Sequence, residues 1–436
     1  MKTEILYFLQ PSVNDGTNWT LLADSNTNMM RGLINEMILK DVGFTIVGPN
    51  FDDTTSENLR SLFPDWSDEA YEINAKQIKY VERDGPVDAN LFRYVWGAQL
   101  DGIVRDWLSK DFDRCVDKII WSNIPELTSN IYQVIKPVKG EDVANVKLIN
   151  SCYFLDSPVH PKTRVDSDAV HRNVNWWRQV EGAYRADIAG FCCDGNRFQF
   201  FEGIQTSHAD HIVEEITKKS AVFRFGYSES ELDNIFEGPE CQAAIEKIVK
   251  FLDGRKLVVF PNRITDPDYT NGWKFLQACE KLDPKEWVFY ATNPGEKYIT
   301  HRELEETYPN YLKLVHGTPS RAEYVAALAT ATVHASLFVE EANGGCACRE
   351  AMHLKSMPVM PYANEYTRLT SPSYPGYITP NGPEVDIDEL ATAIQEVSKH
   401  KFDDFTFNHS VGSFRESAQE VERVLYEHGV EILPLE

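Results

Sequence analysis

The stretch that decides the fold is Ser336–Pro361, SLFVEEANGGCACREAMHLKSMPVMP. The mostly small or apolar run Ala331–Val339 overlaps its start and predicts a buried strand. A second apolar run, Met357–Pro361, closes the stretch and predicts another strand. A helix is expected to begin between them, at about Cys346. The order strand, loop, helix, strand is typical of a parallel α/β unit.

The loop between the first strand and the helix carries the polar groups. It contains the acidic pair Glu340 and Glu341, followed by the glycine pair Gly344 and Gly345. Glycines allow close approach of a backbone to a phosphate, and a helix N-terminus offers N–H groups to anions. Glu350, in the first turn or so of the helix, is placed to accept hydrogen bonds from a ribose. The layout predicts a nucleotide site that also holds a sugar; the alternative is an ordinary crossover with solvated carboxylates.

Length and composition point to an ordinary globular protein. At 436 residues the chain is long enough for two domains. It has no apolar run of the roughly 20 residues that span a bilayer, and the start Met1–Glu4 leads into a strand-like run rather than a signal peptide.

Eight scattered cysteines suit reduced thiols, so we expect a cytoplasmic protein with no membrane partner. Cys346 and Cys348 lack a second ligand pair at metal spacing, and no metal site is predicted.

The net charge is strongly negative, −24 at pH 7. A uniformly acidic surface repels nucleic acid, so non-specific DNA binding would require a locally basic face. The sequence has no run rich in lysine and arginine that would supply one.

Two successive α/β regions are predicted. In the first, apolar periodicity and turn residues predict strands at 5–10, 44–47, 118–121, 147–152 and 188–192, with helices at 28–41, 125–132 and from 168. In the second, they predict strands at 256–260, 287–291, 312–315 and 332–337, with helices at 241–252, 273–282 and 321–329. A final amphipathic helix is expected at Ser413–His428.

The signature stretch resembles that of the retaining, nucleotide-sugar-dependent GT-B glycosyltransferases of family four. Gly345 corresponds to the glycine of the family's Phe-Gly, Glu350–Met352 to its Glu-Ala-Met, and Ser356–Met360 to its closing strand. The family places seven residues between its two glutamates, whereas eight separate Glu341 from Glu350, so either Glu340 or Glu341 takes the first role. Gly344 replaces the family's phenylalanine.

This resemblance implies an α/β fold of two Rossmann-like domains that face each other across a cleft. The expected N-terminal acceptor domain covers 1–235, with 411–436 crossing back to it, and the nucleotide-sugar domain covers 236–410. The implied reaction moves a sugar from a nucleoside diphosphate sugar, with UDP favoured, to an acceptor hydroxyl. No cofactor beyond the donor substrate is required, and the need for a divalent metal is left open.

The resemblance also assigns roles to residues. Arg263, directly after a predicted strand, corresponds to an arginine that binds the diphosphate, and its planar guanidinium suits that task. The family has a Lys-Gly a few residues further on; here Asn271–Gly272 stands in that place, and Lys274 is the nearest cation. Glu350 would bind the ribose, and Glu340 or Glu341 the donor sugar.

The acceptor side is expected in the first region. Asp156 follows a predicted strand, where it is placed to accept the proton of the acceptor hydroxyl or to hold a sugar hydroxyl; the alternative is an aspartate that begins a turn. Gly16 lies in the loop after the first strand, which in the family touches the donor phosphate or the acceptor. Ser122 and Asn123 end another strand and are candidates for the acceptor side.

Three readings of the function remain open. A small molecule or glycan is the expected acceptor. The alternatives are a phage-type enzyme that glycosylates hydroxymethylated bases in DNA, and a non-catalytic nucleotide-sugar-binding protein of the same fold. The altered glutamate spacing and the missing lysine of Lys-Gly favour the last of these.

Overall fold

The computed structural model describes most of both α/β regions. The described residues are 3–9, 25–38, 40–49, 59–60, 62–63, 66–83, 98–109, 117–137, 146–152, 169–224, 226–264, 270–293, 299–314, 319–339, 345–382, 384–408 and 413–432. The predicted site residues Gly16, Asp156, Glu340, Glu341 and Gly344 lie outside these ranges.

The chain divides into two compact units, and the first is built on a parallel sheet. Its strands are β1 (Thr3–Phe8), β2 (Val42–Pro49), β3 (Ile78–Arg83), β4 (Asp117–Ser122), β5 (Val146–Cys152), β6 (Ile188–Phe191) and β7 (Ser220–Val222). Its helices are α1 (Ser25–Met37), α2 (Asp68–Asn74), α3 (Ala98–Ser109), α4 (Pro125–Ile135), α5 (Ala169–Arg185), α6 (Asp194–Ser207) and α7 (Asp210–Lys218).

The strands of this sheet lie in the order β3-β2-β1-β4-β5-β6-β7. Strand β1 pairs in parallel with both β2 and β4, so the strand order reverses between β1 and β4. In an open parallel sheet such a reversal leaves a crevice outside the carboxyl ends of the two strands. The first unit therefore has a potential ligand site where β1 and β4 end.

The second unit repeats this plan with a smaller sheet. Its strands are β8 (Lys256–Arg263), β9 (Trp287–Asn293), β10 (Val333–Ala335), β11 (Met357–Pro361) and β12 (Tyr377–Ile378), with a separate antiparallel pair, β13 (Pro380–Asn381) and β14 (Glu384–Val385). Its helices are α8 (Glu229–Glu237), α9 (Pro239–Leu252), α10 (Gly272–Cys279), α11 (His301–Thr307), α12 (Arg321–Thr330), α13 (Cys346–His353) and α14 (Ile387–Val397). Two 3₁₀ turns follow β11 and α14, at Asn364–Arg368 and Phe402–Asp404.

Strand order reverses in this sheet as well. The order is β12-β11-β10-β8-β9, and β8 pairs in parallel with β9 on one side and β10 on the other. The reversal therefore lies between β8 and β10. Strands β8 to β11 carry the buried core of the unit, including Val258, Phe289, Val333 and Val359, none of which is more than 1% exposed.

The last helix, α15 (Phe414–Glu427), belongs to the first unit, as expected for a helix that crosses back. A Cβ at Gly32 of α1 would lie only 2.2 Å from the ring of Phe414, so the glycine makes room for that ring. The Ser417 hydroxyl donates a hydrogen bond of 2.6 Å to the carbonyl oxygen of Arg224.

Most predicted elements are present, but one predicted strand is wrong. Over the described part of 312–315 the backbone forms no strand, and only an isolated bridge joins Tyr311 to Phe289. The apolar signal there comes from burial of Tyr311 and Leu312 in the core rather than from a ladder. The sequence analysis did not predict helices α2, α3, α6, α7, α8, α11 and α14, or strands β3, β7, β12, β13 and β14. None of the helices within the described residues is long and apolar enough to cross a membrane.

Candidate functional site

The candidate site lies at the carboxyl edge of the second sheet, where the strand order reverses. Arg263 is the last residue of β8 and is exposed. Its neighbour β10 ends at Ala335, and the chain then leads through the loop to Gly345 and α13. Parallel strands end at the same edge of a sheet. Arg263, at the end of β8, and the start of the loop after β10 therefore lie at the ends of neighbouring strands. The reversal places both on the edge where ligands of open α/β sheets bind.

The N-terminus of α13 begins at a glycine that the geometry requires. Gly345 has φ +49°, in the left-handed region that favours glycine, and a Cβ there would lie 3.0 Å from the Tyr366 hydroxyl oxygen. Gly345 is the N-cap residue and has no side chain that could cap the helix. A helix N-terminus offers backbone N–H groups and a partial positive charge to an anion.

Glu350 projects from α13 into a network of hydrogen bonds and has only 11% of its side chain exposed. Arg321 Nη2 donates to Glu350 Oε1 at 2.6 Å, and Nη1 lies 3.4 Å from Oε2. The Tyr324 hydroxyl donates to Oε2 at 2.8 Å. Arg321 Nε also lies 3.5 Å from an oxygen of Glu231 on α8, so one guanidinium serves two carboxylates.

Tyr324 stays protonated in this network. Burial, with the nearby negative charge of Glu350, raises the pKa of Tyr324 well above its usual range. A phenol that holds its proton is a hydrogen-bond donor at every physiological pH, and here it donates to Glu350.

The dipeptide Asn271–Gly272 holds two loops together instead of supplying a cation. Asn271 is 1% exposed, and its Nδ2 donates to the carbonyl oxygen of Leu337, just beyond β10, at 2.9 Å. Its Oδ1 accepts from the backbone N–H of Val385 at 3.3 Å. This double role requires an amide, because a lysine side chain has no acceptor. The departure from Lys-Gly therefore has a structural reason.

Lys274, the nearest cation in sequence, sits in the first turn of α10. Its ammonium lies 3.1 Å from a carboxylate oxygen of Glu384 on β14. Glu384 is largely exposed, with 63% of its side chain accessible, so solvent screens the pair and its contribution is small. A phosphate that approached Lys274 would compete with this carboxylate.

The thiols and the imidazole behind the α13 N-terminus are neutral. Burial raises the pKa of Cys346 to about 11 and that of Cys348 to about 12. His334 on β10 is fully buried, which lowers its pKa to about 3, and its Nε2 lies 3.4 Å from Cys348 Sγ. Within the described residues, no three His, Cys, Asp or Glu side chains are close enough together to hold a metal ion.

The carboxyl edge of the first sheet has a different character. Asn123, directly after β4, is 2% exposed, and within the part of the chain that the structure describes neither its Oδ1 nor its Nδ2 has a hydrogen-bond partner. Beside it in sequence, the Ser122 and Thr128 hydroxyl oxygens lie 2.9 Å apart, and the Thr128 hydroxyl also lies 2.9 Å from Asn150 Oδ1. Asn123 thus stands unpaired at the β1/β4 reversal, next to a bonded polar cluster.

Sequence reasoning missed the roles of Arg321 and Tyr324. A local signal was available: Ser320 and Glu323 form a capping box that begins α12. Because the box begins the helix here, Arg321 and Tyr324, which are three residues apart, lie on one face of the helix.

Comparison with known proteins yields structural relatives only. No protein-family model matches the chain, and no curated protein sequence matches it. HepE of Anabaena, solved with UDP and glucose, superposes with a TM-score of 0.60 at 14% identity, over 98% of this chain and 100% of that one. The UDP-forming α,α-trehalose-phosphate synthase of Burkholderia xenovorans, solved with glucose-6-phosphate, gives a TM-score of 0.57 at 13% identity, over 98% and 100%.

A third structure, the sucrose-phosphate synthase of Thermosynechococcus elongatus, gives a TM-score of 0.57 at 14% identity, over 98% of this chain and 97% of that one. The fold is GT-B. A GT-B fold consists of two Rossmann-like units, so the comparison confirms the fold class that the sequence analysis predicted. At this level of identity the likeness establishes the fold, and the activity has to be argued from the site.

Proposed function

We propose that the protein is a glycosyltransferase that moves a sugar from a nucleoside diphosphate sugar, with UDP favoured, to an acceptor hydroxyl with retention of configuration. One observation carries the proposal: the strand order of the second sheet reverses between β8 and β10, Arg263 is the last residue of β8, and the loop after β10 leads to the N-terminus of α13. A guanidinium and a helix N-terminus are complementary to a diphosphate. The fold adds support, because HepE and trehalose-phosphate synthase share it and were solved with UDP and with glucose-6-phosphate, respectively.

In this proposal each candidate residue has a role on the donor or the acceptor. Arg263 and the α13 N-terminus bind the diphosphate, with Lys274 as the second cation, and Glu350 accepts a hydrogen bond from the ribose. Glu340 or Glu341 holds the donor sugar, and the backbone of Gly344 and Gly345 lies beside the phosphates. On the acceptor side we assign Asp156, with Gly16 in the loop after β1.

The chemistry follows from these charges. The bond between the anomeric carbon and the diphosphate oxygen breaks, the acceptor oxygen bonds to the same face of that carbon, and its proton passes to Asp156. Negative charge develops on the leaving diphosphate, so positioned cations and N–H dipoles lower the barrier most. The site needs no resident metal if Arg263, Lys274 and the helix N-terminus neutralise that charge.

A panel of nucleotide sugars tests the proposal. We expect one of them, together with its nucleoside diphosphate, to raise the melting temperature, and release of the diphosphate to require an acceptor pool of small sugars or glycans. EDTA should leave the release unchanged. Binding without release in any acceptor pool would instead indicate a non-catalytic binding protein, and release only with hydroxymethylated DNA would indicate a DNA-modifying enzyme. No binding of any nucleotide would refute the proposal.

Glu350→Gln is the variant that addresses the ribose. It keeps the size of the side chain but loses a charged acceptor, and a hydrogen bond to a charged group is worth about 1.5–3 kcal/mol. We therefore expect affinity for the diphosphate to fall roughly 10- to 100-fold. Arg302→Gln on α11 is the matched control, since Arg302 forms an exposed ion pair with Glu306 in the same unit. Equal affinities in the two variants would contradict the role of Glu350.

A further inference from the structure

The hydrogen-bond capacity of Glu350 is only partly used. A carboxylate has about four acceptor positions. Oε1 accepts one bond, from Arg321, and Oε2 accepts from Tyr324 with a longer contact to Arg321. At least one lone pair on Oε1 has no donor among the described residues, and part of the side chain is still accessible. The carboxylate is thus oriented by two donors while one acceptor position stays open.

Arg321 is itself held in place from a second helix. Its Nε lies 3.5 Å from Glu231 of α8, and its guanidinium lies over the ring of Tyr324, 5.0 Å from the centroid. Glu350 has little exposure and would be costly to keep charged without a cation beside it. Glu231 fixes Arg321, and Arg321 with Tyr324 fixes Glu350.

We propose that Arg321 and Tyr324 are positioning residues that turn the open lone pair of Glu350 toward the ribose of the donor, and so give the site its preference for ribonucleotides over deoxyribonucleotides. This inference rests on the proposed function, because it requires that Glu350 meets a ribose. It adds a specificity, since an oriented buried acceptor loses its hydrogen bond when the sugar hydroxyl is absent. Without the two donors the carboxylate becomes free to rotate, and the preference disappears.

The test measures binding of UDP, 2′-deoxy-UDP and 3′-deoxy-UDP to the full chain by calorimetry. In the wild-type protein we expect at least one deoxy analogue to bind roughly 10- to 100-fold more weakly than UDP. In Tyr324→Phe and Arg321→Gln this ratio should fall to within about threefold of unity, mainly through weaker binding of UDP. Glu231→Gln should reduce the ratio only partly, because it acts through Arg321.

Controls separate a positioning role from a general loss of structure. Tyr324→Phe removes one hydroxyl and keeps the ring, so its melting temperature reports whether the fold is intact. Arg321→Lys keeps the charge but not the two-pronged geometry, and we expect an intermediate ratio. Arg302→Gln should keep the wild-type ratio.

The outcomes distinguish this inference from the function on which it rests. If the wild-type protein binds UDP and discriminates against a deoxy analogue, but Tyr324→Phe and Arg321→Gln discriminate equally well, the inference is wrong and the proposed function stands. Equal wild-type affinities for UDP and both analogues would also overturn it. If the wild-type protein binds neither UDP nor any nucleotide sugar, the proposed function and the inference fall together.

Discussion

Individual polar side chains at the carboxyl edges of the two sheets contrast in their hydrogen bonding. In the second unit, Glu350 and Asn271 are hydrogen-bonded within the protein. In the first unit, Asn123 is buried at the reversal of strand order, and neither of its amide atoms has a hydrogen-bond partner among the described residues. Groups already held by the protein meet a ligand without reorganising, whereas an unpaired buried amide costs about 1–3 kcal/mol that a ligand can recover. The edge of the second sheet is therefore suited to bind a ligand through protein groups that are already oriented. The edge of the first sheet is suited to a ligand that completes the hydrogen bonds of the Asn123 amide.

The largest expected effect tests the charged edge. Arg263→Gln removes the guanidinium at the end of β8, which in our proposal faces the leaving diphosphate. Losing one such stabilising group typically lowers kcat by about 10²–10³. Steady-state release of the nucleoside diphosphate measures this, with Arg302→Gln as the control. A kcat within threefold of wild type would remove Arg263 from the site.

The unpaired edge is tested by Asn123→Leu. This change replaces an unsatisfied amide with an apolar side chain of similar size, so we expect the free energy of unfolding to rise by about 1 kcal/mol. If Asn123 binds the acceptor, the acceptor KM should rise about tenfold while nucleotide affinity stays constant.

The matched control for this variant is Asn150→Leu. Asn150 lies on the neighbouring strand β5 and is equally buried, but its Oδ1 accepts from Thr128 at 2.9 Å. That change removes the two contacts of the Asn150 amide, with the Thr128 hydroxyl and with Cys152 Sγ, and should destabilise the protein. If both variants are destabilised alike, the contrast between the two asparagines has no energetic meaning.

The last prediction concerns how the stability of the second unit depends on pH, not how the site binds or reacts. The pKa of His334 is lowered by burial to about 3, against an ordinary value of 6.5. At pH values between these two, His334 binds a proton in the unfolded chain but not in the folded protein. The free energy of unfolding therefore falls as the pH falls from about 6.5 toward 3. His334 alone lowers the free energy of unfolding by up to about 1.4 kcal/mol for each pH unit in this interval.

Denaturant unfolding at several pH values measures this contribution. His334→Gln cannot take up that proton, so its free energy of unfolding should decline less steeply below pH 6.5 than that of the wild type. Parallel curves for the two proteins would show that His334 is not buried in its neutral form.

Local patterns predicted the fold well where they were strong. The apolar run Met357–Pro361 forms strand β11 with the predicted bounds. Leu312 misled the prediction because burial in a core produces the same apolar signal as a strand. The GT-B class followed from the family resemblance, and the structural comparison confirmed it.

The candidate site was only partly predictable. Arg263 and Glu350 could be picked out, since each lies near the end of a strand or the start of a helix. The bond from Arg321 to Glu350 joins residues 29 positions apart. It exists because α12 and α13 meet in the folded unit, and no local pattern records that. The roles assigned to Arg263, Lys274 and Glu350 remain predictions.

The double attachment of Asn271 sets a rule for redesign. Restoring the family's cation by Asn271→Lys would add a positive charge beside the proposed donor, but it would also release Leu337 and Val385, which the amide now joins. To bind the donor more tightly, a redesign should keep this asparagine and instead remove the competing carboxylate beside Lys274 by neutralising the exposed Glu384.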